Sequence, residues 1–299
     1  MSPKELLKES RRLADRCRIA HGKKFRLADV DPADTAGVES KSLAKEALGL
    51  GVAALAGLQE KLYAENKWAL LLIFQAMDAA GKDSVIKHVM SGINPQGCDV
   101  HAFKAPNTTE LNHDYLWRCH THTPERGRIG IFNRSYYEEL LVVRVHPELL
   151  QNQKLPGRLV TKKLWRERFD DINAFEQYLD RNGVVVRKFF LHVSRKEQKR
   201  RFLARLEQPE KNWKFSAADV TERSYWDDYM RAYEDMIRHT STARSPWHVV
   251  PADNKWFTRL TVAATIIDTL AALDPQFPEL DEEKRRQLAA VRRELQGKR

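Results

Sequence analysis

The stretch Lys67–Met90, KWALLLIFQAMDAAGKDSVIKHVM, decides the fold of this 299-residue chain. Its apolar part, Ala69 to Phe74, has the length and continuity of a strand that is buried on both faces, as strands of parallel sheets are. From Ser84 onward the apolar residues recur at the spacing of a helix that buries one side. The pattern therefore predicts a buried strand, a turn over 75–83 and a helix.

The turn between this strand and helix carries a Gly-Lys pair, which predicts a phosphate-binding loop. The free N–H groups of a first helical turn and the positive end of the helix dipole both attract phosphate. The consensus G-x-x-x-x-G-K-[ST] is matched only in part, because Ala76 replaces the first glycine and Asp83 replaces the hydroxyl residue. A solvated loop is the alternative. The predicted loop residues are Ala79, Ala80, Gly81, Lys82, Asp83 and Ser84.

Asp78 is an unusual residue for a phosphate loop. A carboxylate repels bound phosphate unless a cation lies between them. We therefore interpret Asp78 as a ligand of Mg²⁺ or as a proton acceptor near the reacting group. The alternative is an Asx-turn residue that only holds the loop.

Strands and helices alternate along the rest of the chain. Four more strands are predicted at 99–103, 128–132, 184–193 and 247–250, and the longer helices at 43–62, 110–120, 161–181, 219–239 and 259–272. Such alternation is typical of a doubly wound α/β fold, a three-layer α/β/α sandwich. We predict a five-stranded, mainly parallel sheet in a main domain over 41–275, with an N-terminal extension over 1–40 and a charged C-terminal helix over 276–299.

Polar residues follow the predicted strand at 128–132. In open α/β sheets, ligand chemistry gathers at the carboxyl ends of strands, and P-loop NTPases place there a carboxylate that supports Mg²⁺. This chain has the amide Asn133 at that position, followed by Arg134. Glu138 lies five residues beyond the strand end, at the start of a predicted helix. It is the candidate for the missing carboxylate, and the alternative is a contact with its own helix N-terminus.

A segment dense in arginine and lysine, SRKEQKRRFLARLEQPEKNWKF, follows the fourth strand. Like charges at this density are often a solvated helical face. Because the segment directly follows a strand of the sheet and is interrupted by Pro209, we predict a lid over about 194–216 that closes over phosphates and excludes water.

Composition restricts the partners and the location. The chain has 51 Lys and Arg against 41 Asp and Glu, a formal charge of +10. This charge favours a polyanion such as polyphosphate, nucleic acid or an anionic membrane surface. Three cysteines far apart in sequence argue for a reducing compartment, so a cytoplasmic location is expected. No apolar run near the length of a membrane span and no signal-peptide core is evident, so membrane insertion is not expected.

Taken together, the motifs resemble the polyphosphate kinase 2 family. They are MDAAGKD (77–83), HVMSGINPQG (88–97), FKAP (103–106), LWR (116–118), PERGRIGIFNRSYYEELLVVRVHP (124–147), the HVS, EQ, RR and R of the lid, and WKFS (213–216). The resemblance extends from about Phe25 to about Leu270 and is greatest to the branch whose second motif is N-R-S-Y-Y-E. It implies a P-loop kinase-like fold and a reversible, Mg²⁺-dependent transfer of the terminal phosphoryl group of inorganic polyphosphate to AMP or ADP, or to GMP or GDP.

The resemblance also implies roles for individual residues. Asp78, Lys82, Arg134 and Glu138 would be catalytic, with Asp78 and Glu138 at the metal, and Asn133 and Arg134 would form the second nucleotide motif. Polyphosphate would contact lid residues among Arg200, Arg201, Arg205, Lys211 and Lys214. A homo-oligomer, dimer or tetramer, is expected, with no nucleic acid and no membrane as a partner.

Two other function classes stay open at the level of sequence. One is an ATP-dependent kinase of nucleotides or small molecules on the same fold. The other is a nucleic-acid-binding P-loop protein, in which the basic segment binds a phosphate backbone.

Overall fold

Six strands form one sheet in the computed structural model, which describes residues 2–38, 41–213 and 216–297. Their order in space is β1-β6-β5-β2-β4-β3, and every neighbouring pair is parallel except β1 with β6. The strands are β1 (Arg18–Ile19), β2 (Ala69–Gln75), β3 (Cys98–Ala102), β4 (Ile129–Asn133), β5 (Val184–His192) and β6 (Trp247–Pro251).

The predicted number of five strands is wrong by one. The additional strand, β1, lies inside the predicted N-terminal extension and pairs antiparallel with β6, Arg18 opposite His248 and Ile19 opposite Trp247. A two-residue strand has no period in the sequence, so only its tertiary partner reveals it.

Helices cover both faces of the sheet. On one face α12 contacts α1, α2 and α3, and on the other α7 contacts β5 and α11, which gives the predicted three layers. The α-helices are α1 (Pro3–Cys17), α2 (Lys41–Glu65), α3 (Lys82–Val89), α4 (Thr108–Leu111), α5 (Trp117–His120), α6 (Val142–Val145), α7 (Leu164–Arg181), α8 (Arg195–Glu207), α9 (Pro209–Asn212), α10 (Ala217–Glu222), α11 (Trp226–Thr240), α12 (Lys255–Leu273) and α13 (Glu282–Gly297).

The single helix predicted over 110–120 is two short helices, α4 and α5. The Asp114 carboxylate accepts hydrogen bonds from the backbone N–H groups of Leu116 at 3.0 Å and Trp117 at 3.1 Å. An Asp side chain that accepts from the N–H groups two and three residues later starts a new turn of chain instead of continuing a helix.

The core is centred on β2, in which all seven residues are buried. The rings of Phe74 on β2 and Phe189 on β5 stack at 4.9 Å between centroids. Because β2 lies between β5 and β4, the loop that follows it emerges in the middle of the carboxyl edge of the sheet. This position puts the predicted phosphate loop between two other strand ends.

Helix α12 is apolar and long enough to cross a membrane by length and composition, although the sequence suggested no such run. Within its most apolar window 67% of the residues are buried inside the fold. Contacts with α1, α2 and α3 account for this burial, so α12 has the surroundings of a core helix.

The N-terminal segment after β1 packs tightly on α11 at Gly22. A Cβ atom at this position would lie 2.2 Å from the Ile237 carbonyl oxygen and 2.7 Å from that of Arg238. Backbone atoms cannot move aside as a flexible side chain can, so we expect Gly22→Ala to destabilise the fold by about 1–3 kcal/mol. Urea unfolding followed by circular dichroism measures this change.

Gly49 in α2 is the matched control, because no atom lies within 4 Å of a Cβ placed there. Gly49→Ala should raise the free energy of unfolding by about 0.4–1 kcal/mol through the unfolded chain. An unchanged midpoint for Gly22→Ala would show that the segment after β1 does not depend on this close approach.

Candidate active site

The loop between β2 and α3 has the backbone of a phosphate cradle. Gly81 adopts a left-handed conformation with φ of +109° and is the N-cap of α3, and Ala79 has φ of +61°. Glycine adopts such a conformation without strain, which explains why the second consensus glycine, Gly81, is present although Ala76 replaces the first. The N–H groups of the first turn of α3 therefore face the cleft at this edge of the sheet.

Lys82 is the first residue of α3 and its side chain turns back into the loop. Its Nζ donates a hydrogen bond to the Ala76 carbonyl oxygen at 2.8 Å, and the residue is only 9% exposed. Burial lowers the pKa of Lys82, and the negative charge of Asp78 opposes this effect. The ammonium is thus held in place with little hydration, which strengthens its attraction for an incoming phosphate.

Arg134 follows β4 and reaches the loop. Because β2 and β4 are parallel with Phe74 opposite Asn133, the residues after both strands meet. The Arg134 guanidinium lies 3.1 Å from an Asp78 carboxylate oxygen and 4.0 Å from one of Glu138. Burial acts against its charge, but Glu138 and Asp78 outweigh burial and raise the pKa of Arg134.

Glu138 lies on a short helix, as predicted, and this helix is a 3-10 helix, Tyr136–Leu140. Its side chain is 22% exposed. In the orientation that suits both neighbours, the Gln75 amide nitrogen donates to Glu138 Oε1 at 2.8 Å and the amide oxygen accepts from the Ser135 N–H at 3.1 Å. Burial raises the pKa of Glu138, with Arg134 and Lys82 acting against that rise.

Asp83 is a third carboxylate at the cleft, and sequence reasoning assigned it no role beyond the loop. The Asn133 side-chain nitrogen donates to Asp83 Oδ1 at 2.7 Å. Asn133 is thus oriented by an acidic partner contributed by α3. The mismatch of Asp83 to the consensus hydroxyl was the signal for it, but sequence does not show that the two residues meet.

The lid residues Arg200 and Arg201 differ in their surroundings, although they are adjacent on α8. Arg200 has a side chain that is 68% exposed and pairs with Glu197 at 2.6 Å. Arg201 is buried and bonds Glu197 at 2.7 Å, and its other donors reach four backbone carbonyl oxygens. These belong to Ala79, Ala80, Ala252 and Asp253, at 2.6 to 3.1 Å.

A guanidinium has five N–H donors, so the donors of Arg201 are all engaged here. Arg201 connects α8 to the phosphate loop and to the end of β6. Its predicted contact with polyphosphate stays a prediction, and the contacts observed here are those of a residue that fixes the loop.

Two of the remaining predicted lid residues, Arg205 and Lys211, line the cleft. Arg205 pairs with Asp219 at 3.3 Å, and Lys211 donates to the Gln208 side-chain oxygen. Lys214 lies outside the described residues. Two further basic residues, Lys255 and Arg259 of α12, lie on the same side, and Arg259 donates to Ser84 Oγ at 2.9 Å. Sequence reasoning missed both because they lie on a core helix.

Loop and lid enclose a cleft of about 640 Å³ that is lined by both charges. Its lining includes Asp78, Gly81, Lys82, Asp83, Ser84, Asn133, Arg134, Arg200, Arg201, Arg205, Lys211 and Lys255. All the predicted site residues that the structure describes therefore lie in this cleft or directly beside it. Basic side chains around a helix N-terminus suit a chain of phosphates.

A second pocket of about 270 Å³ adjoins the cleft, and Arg134 lines both. Its apolar lining residues include Phe103, Pro106, Leu111, Tyr136, Val142, Val143 and Leu149, and its polar ones include Glu110, Arg118, Glu138, Glu139 and Gln153. A pocket that combines apolar surface with polar side chains suits a small organic ligand. The two pockets together suit a phosphoryl donor and an organic acceptor.

Comparison with protein families gives one match over most of the chain. The model of Polyphosphate kinase 2 (PPK2) matches residues 38–278. The chain is 53% identical over 283 residues to the ADP-polyphosphate phosphotransferase of Rhodopseudomonas palustris, which covers 93% of this chain and 96% of the relative. It is 43% identical over 263 residues to the AMP/ADP-polyphosphate phosphotransferase of Meiothermus ruber, which covers 88% of this chain and 94% of the relative.

Solved structures agree with this match. The crystal structure of a polyphosphate kinase 2 from Arthrobacter aurescens superposes with a TM-score of 0.85 at 40% identity. The superposition covers 93% of this chain and 96% of the other.

Lys82→Ala should reduce phosphoryl transfer by a hundred- to a thousandfold. Removing one preorganised donor from a transition state costs about 2.7–4 kcal/mol, and Lys82 is such a donor because it is held by Ala76. The steady-state rate measures the effect. Lys87→Ala is the matched control, since Lys87 is exposed on the same helix α3 and its loss should leave the rate unchanged. Near-normal turnover of Lys82→Ala would contradict the assignment.

Proposed function

The chain belongs to the polyphosphate kinase 2 family, and we propose that it is a polyphosphate:nucleotide phosphotransferase, which transfers the terminal phosphoryl group of inorganic polyphosphate to a nucleoside mono- or diphosphate. The observation that carries the proposal is the basic cleft between the phosphate loop and the lid, which joins an apolar pocket at Arg134. The relatives are named for AMP and ADP, which supports an adenine nucleotide as acceptor.

The residues of the cleft supply positioning and charge. A transferring phosphoryl group spreads negative charge over its oxygens, so fixed cations stabilise it and no covalent intermediate is required. Lys82 and the N–H groups of the loop hold the phosphates. Arg134 lies where the two pockets meet and therefore contacts the group in transfer. The lid closes the cleft and excludes water.

Mg²⁺ fits the carboxylates of the site. Within residues 2–38, 41–213 and 216–297, no three or more His, Cys, Asp or Glu side chains are grouped so that they could hold a metal ion by themselves. Mg²⁺ binds through one or two carboxylates together with substrate phosphates, and Asp78 and Glu138 offer these two on either side of Arg134. When bound, the ion would neutralise charge on the phosphates of donor and acceptor.

The second pocket is the proposed site of the acceptor nucleoside. Its apolar lining offers contacts to a base and ribose, and its shared end at Arg134 directs the acceptor phosphate toward the cleft. Guanine nucleotides are also expected as acceptors, because the same apolar lining can contact a guanine base. Cytoplasmic location, a homo-oligomer and the absence of a nucleic acid partner stay predictions.

The lid is the proposed site for the distal part of the polyphosphate chain. Arg200, Arg205 and Lys211 line the cleft away from the apolar pocket, and Lys255 extends the basic side beyond them. Burial lowers the pKa of Lys255, and the positive neighbours Arg201 and Lys211 lower it further. A concentration of positive charge of this kind is relieved by a bound polyanion.

An assay of ADP with polyphosphate, in the absence of any ATP donor, tests the function. We expect ATP to form with Mg²⁺ present and not after its removal with EDTA, because without the ion the carboxylates of Asp78 and Glu138 would repel the phosphates. Luminescence detects the ATP. Phosphorylation of nucleotides only when ATP is the donor would identify an ATP-dependent kinase, and retention of labelled nucleic acid without transfer would identify a nucleic-acid-binding protein.

The lid gives a second test. Arg200→Ala and Lys211→Ala should raise the KM for polyphosphate while the KM for ADP stays constant, because these side chains line the cleft and not the second pocket. Raised salt should have the same selective effect, because it screens exposed charges. Steady-state kinetics with each substrate varied in turn measures both constants. Equal changes in the two KM values would show that α8 presents only a solvated face.

A further inference from the structure

A fully buried ion pair lies behind the active site and has no part in the proposed chemistry. Glu176 of α7 and Lys188 of β5 are 2% and 0% exposed, and their charged atoms are 2.6 Å apart. Neither residue lines the cleft or the second pocket. Removing two charges from water costs free energy that their attraction does not fully return, so stability alone does not explain a pair at this place.

The hydrogen bonds of this pair lead to the catalytic segment. Glu176 Oε1 accepts from the hydroxyls of Tyr136 at 3.0 Å and Tyr137 at 2.7 Å. Lys188 Nζ donates to Glu176, to the Tyr137 hydroxyl at 2.9 Å and to the Thr240 carbonyl oxygen at 2.7 Å. The three ammonium protons are thus matched by three acceptors. Among these contacts, only the two tyrosines connect the ion pair to the carboxyl edge of the sheet.

The two tyrosines lie between Arg134 and Glu138 in the chain. Both tyrosine side chains are buried and their hydroxyls reach Glu176, although Tyr136 also lines the second pocket. Arg134 and Glu138 line the pockets. Arg134 has a left-handed φ of +67°, a conformation that persists in a non-glycine residue only where the surroundings hold it. Charge-assisted hydrogen bonds from two successive hydroxyls to one carboxylate fix the direction of this turn in a way that apolar packing does not.

We propose that Glu176 and Lys188 are positioning residues that hold the 3-10 turn through Tyr136 and Tyr137, so that Glu138 stays at Gln75 and beside Arg134. The effects on kcat that this proposal predicts rest on the proposed function. Glu176 and Lys188 act at a distance, and neither touches the substrate. The alternative is a network that only satisfies buried polar groups of the core.

Tyr137→Phe separates these alternatives, since it removes the one hydroxyl that bonds both charges and keeps the ring. We expect kcat to fall by as much as about a hundredfold, the effect of a small misplacement of a reacting group, while the KM for polyphosphate is unchanged. In a Glu138→Gln background the same change should reduce kcat by less than about twofold further, because both act through one carboxylate. Equal losses in the two backgrounds would overturn the proposal.

Leu179→Ala is the control for stability. Leu179 is a buried residue of α7, the helix that carries Glu176. It is near the start of β5 and thus at the edge of the sheet opposite the active site. It should lower the melting temperature and leave kcat at an assay temperature well below melting unchanged. If Tyr137→Phe does not fold, Tyr136→Phe replaces it, because that change removes one donor to Glu176 and leaves Lys188 with three acceptors.

A crystal structure of the folded variant gives a reading that is independent of activity. In the wild type the Gln75 amide nitrogen lies 2.8 Å from Glu138 Oε1. The proposal requires this distance to lengthen beyond the hydrogen-bonding range of about 3.2 Å in the variant. An unchanged distance would overturn it. Wild-type protein that forms no ATP from polyphosphate would refute the proposed function alone, and this distance would still decide the positioning role.

Discussion

Parallel pairing of β2 with both β4 and β5 is the constraint on which the site depends. The register sets Phe74 opposite Asn133 on one side and opposite Phe189 on the other. Strands that run in the same direction end at the same edge of the sheet. The phosphate loop, the segment after β4 and the lid after β5 therefore all start at the carboxyl edge. A shift of one residue between β2 and β4 would turn every side chain of one strand to the other face and separate Arg134 from the loop.

The charges at this edge are nearly balanced before any substrate binds. Lys82 and Arg134 face Asp78 and Glu138, and Arg134 contacts both carboxylates. In a partly buried site such pairs interact more strongly than in water, so the free site holds its cations in place through its own carboxylates. Binding of phosphate then requires further positive charge, which we propose that the lid and Mg²⁺ supply. This division explains why the loop contains a carboxylate at all.

Adjacent residues of the lid show that charge alone does not define a role. Arg200 is exposed and Arg201 is buried, with its donors engaged by Glu197 and by backbone carbonyl oxygens. A helix turns by 100° per residue, so neighbours in sequence face different surroundings. Arg201 therefore determines where α8 sits over the loop, whereas Arg200 is presented to the cleft.

The sequence by itself determined the α/β class, the strand–loop–helix unit and the resemblance that gave the family, because a buried strand, a Gly-Lys turn and an amphipathic helix are local patterns. Most site residues lie in those motifs. Only the tertiary structure decided which of them meet: Asp83 with Asn133, Arg201 with the loop backbone, and Glu176 with the tyrosines 40 and 39 residues away. The two-residue strand β1 was hidden for the same reason. Hydrogen bonds between distant segments depend on register and packing, which no local period records.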